Sequence, residues 1–309
     1  MGNRIAALTG ATGFLGRRLT RTLVDRGWRV RALVRRPADK VTLTGEGVET
    51  ILGDLSDGEA LSRLVEGAEV TVNCAGLIKA RDAAAFLSVN RDGAARLAAA
   101  TAGRLVLVSS LAARAPHLSD YAASKRAGED AARAVAGGRL AVVRPPVIYG
   151  PGDRETLPLF RMARRSALAP LPSDRRALLA LAHADDVAAA IAFVMEQPVL
   201  DGVYAVGGDR PEGYAWREIM VAAWGAMGRT PWFLSLPAWS VGAAALASEL
   251  TAPIRRTPPI FTRGKVREML HPDWSVGESE RIPGCPSARF SLTAGFADAV
   301  AWYREAGWL

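Results

Sequence analysis

A short apolar run, Arg4-Ile5-Ala6-Ala7-Leu8-Thr9, leads straight into Gly10-Ala11-Thr12-Gly13-Phe14-Leu15-Gly16. A helical pattern starts inside that turn, with Leu15, Leu19, Leu23 and Val24 on one face and Gly27 closing it. A glycine at the strand end permits the tight turn, a second lets backbone approach a pyrophosphate, and a third lets helix and strand pack closely. The helix start then offers free N–H groups and the positive end of its dipole to an anion. An ordinary tight strand–helix junction would use the same residues, so its place in the chain matters.

The run opens an alternating series. Strands are expected at 28–34, 48–52, 70–74, 105–108 and 140–143, with helices around Leu61, Leu64 and Val65, over 83–101 and over 120–135. Continuous apolar strands separated by helices imply parallel β-α-β units and a sheet buried on both faces. The expected architecture is α/β, a Rossmann-type doubly wound parallel sheet with a smaller, mostly helical C-terminal lobe. After Tyr149-Gly150-Pro151 the composition changes. Residues 1–150 are assigned to a dinucleotide-binding domain to which 181–206 return (a helix over 185–196, then a strand at 203–206), and residues 151–180 and 207–309 to a substrate lobe. No clean strand periodicity marks 151–180.

Composition excludes several classes. The chain has 309 residues, 50% apolar and 23% charged, enough for a large core. Its two cysteines, Cys74 and Cys285, exclude a disulfide scaffold and suit a reducing, cytoplasmic compartment. His117, His183 and His271 are far apart without an H-E-x-x-H motif, so no metal is expected. His183 reads as structural, just before a helix opened by Asp185-Asp186. The net charge of +8 comes from scattered arginines without a nucleic-acid module, so no nucleic-acid partner is expected. Neither a secretory signal nor a membrane span is expected.

The second strand ends Val34-Arg35-Arg36, with no acid to hold a ribose hydroxyl. A guanidinium there suits a 2′-phosphate, which favours NADP(H) over NAD(H), with Arg35 the better contact. Asp54, in Gly53-Asp54-Leu55 after the third strand, can accept from an adenine amino group or cap the following helix. Tyr121 and Lys125 share a helix face. A neighbouring ammonium lowers the pKa of a phenol, which can then exchange a proton with a substrate hydroxyl. Ser109-Ser110 end the fifth strand, where open α/β sheets present such groups.

These pieces together resemble the extended short-chain dehydrogenase/reductases of the NAD-dependent epimerase/dehydratase superfamily. The matching segments are TGATGFLG at 9–16, GDL at 53–55, NCAG at 73–76, Asn90, SS at 109–110, YAASK at 121–125, RPPVIYGPGD at 144–153 and HADDVAAAI at 183–191. The resemblance implies a catalytic set of Ser110, Tyr121 and Lys125, with Ser109 the alternate serine. It implies cofactor contacts at Gly10, Thr12, Gly13, Phe14, Leu15, Gly16, Arg35, Arg36, Asp54, Leu55, Cys74, Ala75, Gly76, Tyr121 and Lys125. Pro145, Pro146 and Val147 would border the nicotinamide, and Asn90 would brace the helix behind the site. The gap from Ser110 to Tyr121 is shorter than in many sugar-nucleotide members.

Residues 232–260 are apolar (Trp232, Phe233, Leu236, Trp239, Leu246, Leu250), with Arg255-Arg256 near their end. Two readings stand: a buried helix, or an exposed patch that admits a lipid-like substrate or rests on a membrane through 232–256. The C-terminal third resembles the group of 3β-hydroxysteroid dehydrogenases and the complex I 39-kDa subunit, with bacterial reductases of oxidised ceramide nearby. The implied function is NADP(H)-dependent oxidoreduction of a ketone or secondary alcohol on a small hydrophobic molecule. The alternatives are a sugar-nucleotide epimerase or dehydratase, and a non-catalytic NADPH-binding accessory subunit.

Overall fold

The computed structural model describes residues 4–43, 45–172, 177–197, 201–237, 243 and 262–309. The chain divides into two units. The first comprises Met1–Pro145, Ala188–Ala205 and Ile282–Cys285, and the second Pro146–Val187, Val206–Arg281 and Pro286–Leu309.

The first unit is a seven-stranded parallel sheet. Its strands are β1 (Ile5–Thr9), β2 (Arg29–Val34), β3 (Val48–Leu52), β4 (Val70–Asn73), β5 (Arg104–Val108), β6 (Leu140–Arg144) and the segment Gly202–Ala205. Their spatial order is Gly202–Ala205, β6, β5, β4, β1, β2, β3, every pair parallel. The expected Rossmann-type sheet is therefore present. The order reverses between β1 and β4, and open α/β sheets place their ligand crevice outside the strand ends at such a point.

The expected helices form as α1 (Phe14–Asp25), α3 (Gly58–Val65) and α6 (Asp120–Ala136), and a short α2 (Pro37–Thr42) follows β2. One core cluster joins Leu61 and Leu64 of α3, Leu97, and Ala132 and Ala136 of α6 to Leu33, Leu105, Leu107 and Val142 of the sheet. Alternate strand residues Leu8, Ala32, Val106 and Val143 are buried too, as a sheet covered on both faces requires. The alanine-rich helix expected over 83–101 is interrupted. It consists of α4 (Ala83–Leu87), a π-helical turn Ser88–Gly93 and α5 (Ala94–Ala100). Such turns cluster at functional sites, and this one carries Asn90.

In the second unit, strand Leu168–Pro172 pairs in parallel with Trp232–Leu236. Leu178–Leu179 pairs with Tyr214–Ala215 and with Asp273–Trp274. The stretch 151–180, which shows no clean strand period, contains strands too short or too proline-rich to show one. One expectation is corrected here. Residues Trp232–Leu236 form a strand and no buried helix; Trp232 is 72% and Leu234 50% exposed. Trp239, Leu246, Leu250 and Arg255-Arg256, the rest of that apolar stretch, lie outside the described residues. His183 is fully buried before the helix Ala184–Glu196, stacked on Phe290 with ring centroids 3.9 Å apart and edge-on to Tyr149. Among the described residues no helix is long and apolar enough to cross a membrane.

Candidate active site

The turn after β1 closes on the turn after β4. Gly10 has φ +73°, and a Cβ on it would lie 2.6 Å from the Ala75 backbone nitrogen. A Cβ on Gly16 would overlap the Gly10 carbonyl, so neither position accepts a side chain. The Thr9 hydroxyl donates to Asn73 Oδ1 at 2.7 Å and accepts from the Ala75 N–H at 3.2 Å. Gly13, the residue before α1, supplies no side-chain cap, and the first turn of α1 carries no acid. No side chain of the cap or first turn offsets the positive end of the helix.

Beyond β2, the two arginines differ. Arg36 makes a two-pronged contact with Asp39, at 3.1 and 2.8 Å, which raises the guanidinium pKa through that hydrogen bond and the charge of Asp39. Arg35 is exposed, and its charge helps hold the carboxyls of Asp54 and Asp39 below the usual carboxylate range, after the hydrogen bonds those groups accept. Asp54 accepts from the Ser56 N–H and hydroxyl, at 2.7 and 2.5 Å. The possibility that Asp54 caps the next helix is corrected: the cap of α3 is Asp57, which accepts from the Ala60 N–H at 3.0 Å. Leu55 packs on the site of Gly93 at the end of the π-turn.

Helix α6 begins at the Ser119 cap, and its first two turns carry Tyr121 and Lys125. Tyr121 meets Phe86 edge-on, with centroids 6.1 Å apart. Lys125 is buried, and its Nζ donates to the Val108 carbonyl at the end of β5, at 2.8 Å. Desolvation pushes its pKa down to about 8, partly opposed by the charge of Glu129. Burial pushes the Cys74 thiol up to about 12, so it remains protonated. A Cβ on Gly76 would come 3.4 Å from Lys125 Nζ and 3.2 Å from Asn90 Oδ1. The missing side chain at Gly76 leaves room beside the ammonium.

Asn90 ties this region together. Its Oδ1 accepts from the Leu77 N–H at 2.8 Å, and its Nδ2 donates to the Leu77 carbonyl at 3.0 Å and to Ser124 Oγ at 2.9 Å. Ser124 donates in turn to the Tyr121 carbonyl at 2.8 Å. The buried amide thereby fixes the turn after β4 against the start of α6.

The two serines separate by their partners. Buried Ser109 gives its proton to Glu129 Oε1 at 2.5 Å, and Arg144 grips the same carboxylate at 2.8 and 2.5 Å. Ser110 accepts from the Ala112 N–H at 3.2 Å, which leaves its own hydroxyl proton for another acceptor. Pro145 is anchored by its carbonyl, which accepts from the Leu111 N–H at 2.8 Å. Val147 is 43% exposed at the start of the strand Val147–Tyr149. Glu129 and Arg144 were not picked out from sequence. Their signals were present: Glu129 stands four residues beyond Lys125 on the same face, and Arg144 opens the RPP segment.

Residues 6–207 match the model of the NAD dependent epimerase/dehydratase family. The chain belongs to this family. It is 47% identical to a ceramide reductase of Caulobacter vibrioides over 99% of this chain and 96% of that protein. It is 29% identical to sterol demethylase protein B of Methylococcus capsulatus, over 97% and 98% of the two chains. The fold of this epimerase/dehydratase member also matches the crystal structure of the Bordetella bronchiseptica enzyme WbmH in complex with NAD+. There the TM-score is 0.73 at 18% identity, over 99% of this chain and 100% of that one. The protein is an oxidoreductase of the extended short-chain dehydrogenase/reductase type, as its named reductase and dehydrogenase relatives support.

Proposed function

We propose that the chain is an NADP(H)-dependent reductase that converts a ketone on a hydrophobic, lipid-like molecule into a secondary alcohol, with oxidised ceramide as the narrowest candidate. The observation that carries this reading is the likeness to a ceramide reductase over nearly the full length of both chains. In this reading the first unit is the dinucleotide-binding domain and the second supplies the substrate lobe.

The residues fit a dinucleotide. Gly10 and Gly16 hold a turn that side chains would fill, and α1 starts with no cap of its own. Its backbone from Thr12 to Leu15 would take the pyrophosphate, Asp54 and Leu55 the adenine, and Arg35 the 2′-phosphate, with Arg36 committed to Asp39. Cys74, Ala75 and Gly76 would run alongside the cofactor, and Pro145 would border the nicotinamide. When bound, the reduced nicotinamide supplies the hydride.

The protein's own groups manage the proton. Ser110 donates a hydrogen bond to the substrate carbonyl oxygen. Tyr121 passes its phenolic proton to that oxygen as negative charge develops there, and a solvent proton later restores the phenol. The Lys125 ammonium stabilises the phenolate. Ser109 cannot replace Ser110, because its proton is already given to Glu129.

The test is NADPH consumption by the full-length protein across keto-lipids, including oxidised ceramide, and nucleotide sugars. Stoichiometric oxidation with the keto-lipids is expected. Interconversion of a nucleotide sugar without net consumption would overturn the reading in favour of an epimerase. NADPH should also bind more tightly than NADH, and Arg35→Asp should abolish or reverse that preference, because a carboxylate repels the phosphate and accepts from a ribose hydroxyl. Equal affinities in the native protein, measured by titration, would exclude this role for Arg35.

The state of Lys125 sets a pH dependence. Its pKa is lowered, so the ammonium is complete well below pH 8 and is lost as pH rises through about 8. Reduction needs the ammonium, and kcat/KM for the ketone should fall on that alkaline limb. A profile flat from pH 7 to about 9.5, beyond that lowered pKa, would show that the ammonium is not required.

A further inference from the structure

We propose that the outer face of the ribbon formed by Leu168–Pro172 and Trp232–Leu236 docks the protein on an anionic lipid surface. Within the second unit these strands pair with Trp232 opposite Leu168 and Leu234 opposite Pro170. Side chains alternate across a strand. Ala169 and Leu171 are buried, and Phe233 packs under the Arg217 guanidinium, 4.1 Å from its ring centroid. The outward row should then be polar, and here it is the reverse. Leu168 is 53%, Trp232 72% and Leu234 50% exposed, with half-buried Pro170 in the same row. Exposed tryptophan and leucine in register suit the boundary between headgroups and acyl chains.

Charge completes the pattern. The segment 156–172 carries Arg161, Arg164 and Arg165 and no acid, and 219–237 carries Arg229 and no acid. Arg164, Arg165 and Arg229 are exposed. Apolar side chains flanked by arginines match a surface of acidic headgroups. Size argues against a second copy of the chain: the row offers on the order of 400 Å², counting each large side chain at 150–250 Å² when fully buried. A stable protein interface takes about 800 Å² per partner. The proposal stands on these observations alone. Combined with a lipid substrate, it gives a reason for the enzyme to work at a bilayer.

Co-sedimentation of the full-length protein tests it, using vesicles of phosphatidylcholine alone and of phosphatidylcholine mixed with phosphatidylglycerol. Binding to the anionic vesicles should be at least tenfold tighter and should weaken in high salt. Trp232→Ser with Leu234→Ser, and separately Arg164→Gln with Arg165→Gln, should each weaken it by about tenfold. Both variants alter exposed residues, so thermal unfolding and NADPH affinity should stay native. No binding, equal binding of native and variant proteins, or a vesicle-independent dimer abolished by Trp232→Ser would overturn the proposal. Failure of the reductase reading would leave vesicle binding unchanged.

Discussion

Replacing Tyr121 by Phe should lower turnover by about two to four orders of magnitude, the usual contribution of a positioned acid. The substitution removes one hydroxyl and keeps the ring that meets Phe86 edge-on. Folding and cofactor affinity should therefore stay close to native. Lys125→Ala should reduce both turnover and cofactor affinity, since in the proposed mechanism the ammonium beside the Gly76 gap would serve the phenol and a bound ribose together. Steady-state kinetics on the true substrate, with a separate cofactor titration, distinguishes the two variants. Native turnover in Tyr121→Phe would remove the proposed proton route.

The second large effect concerns stability. Glu129→Ala would leave the Arg144 guanidinium without its carboxylate, in a place where the two side chains are only 13% and 4% exposed. Breaking a buried pair by removing one member typically costs about 3–5 kcal/mol, because the remaining charge has no partner. Ser109 would lose its acceptor as well, and the ends of β5 and β6 would be held less firmly. Denaturant unfolding should show a clear drop in midpoint for Glu129→Ala and a smaller one for Glu129→Gln, which keeps an acceptor oxygen for Ser109. An unchanged midpoint in Glu129→Ala would mean that solvent or another group compensates Arg144.

The difference between Ser109 and Ser110 illustrates what local sequence conveys. Adjacent serines at a strand end look equivalent, since both can donate and accept. Their separation depends on Glu129, twenty residues further on, and on Arg144, thirty-five further on. Only the packing of α6 against β5 and β6 brings those partners to Ser109. Asp54 and Asp57 show the same limit at shorter range. Either could cap a helix by type, and the start of α3 at Gly58 makes Asp57 the cap.

By itself the sequence determined the elements whose signal is local. Apolar runs beside a glycine set β1, β5 and β6, because strands buried on both faces need near-continuous apolar side chains, while β2 and the edge strand β3 carry Arg31 and Glu49, which pair with each other. The glycine turn declared the first strand–helix junction, because at Gly10 and Gly16 no Cβ fits. The i,i+4 spacing put Tyr121 and Lys125 on one face. Tertiary structure alone decided the features that depend on distant partners. The π-turn at Asn90 is held by Leu77 and Ser124, on either side of it in sequence. The strand Trp232–Leu236 exists through pairing with Leu168–Pro172, some sixty residues earlier. A strand that exposes its apolar row has the composition of a buried one, and only its neighbours reveal which face is left to the outside.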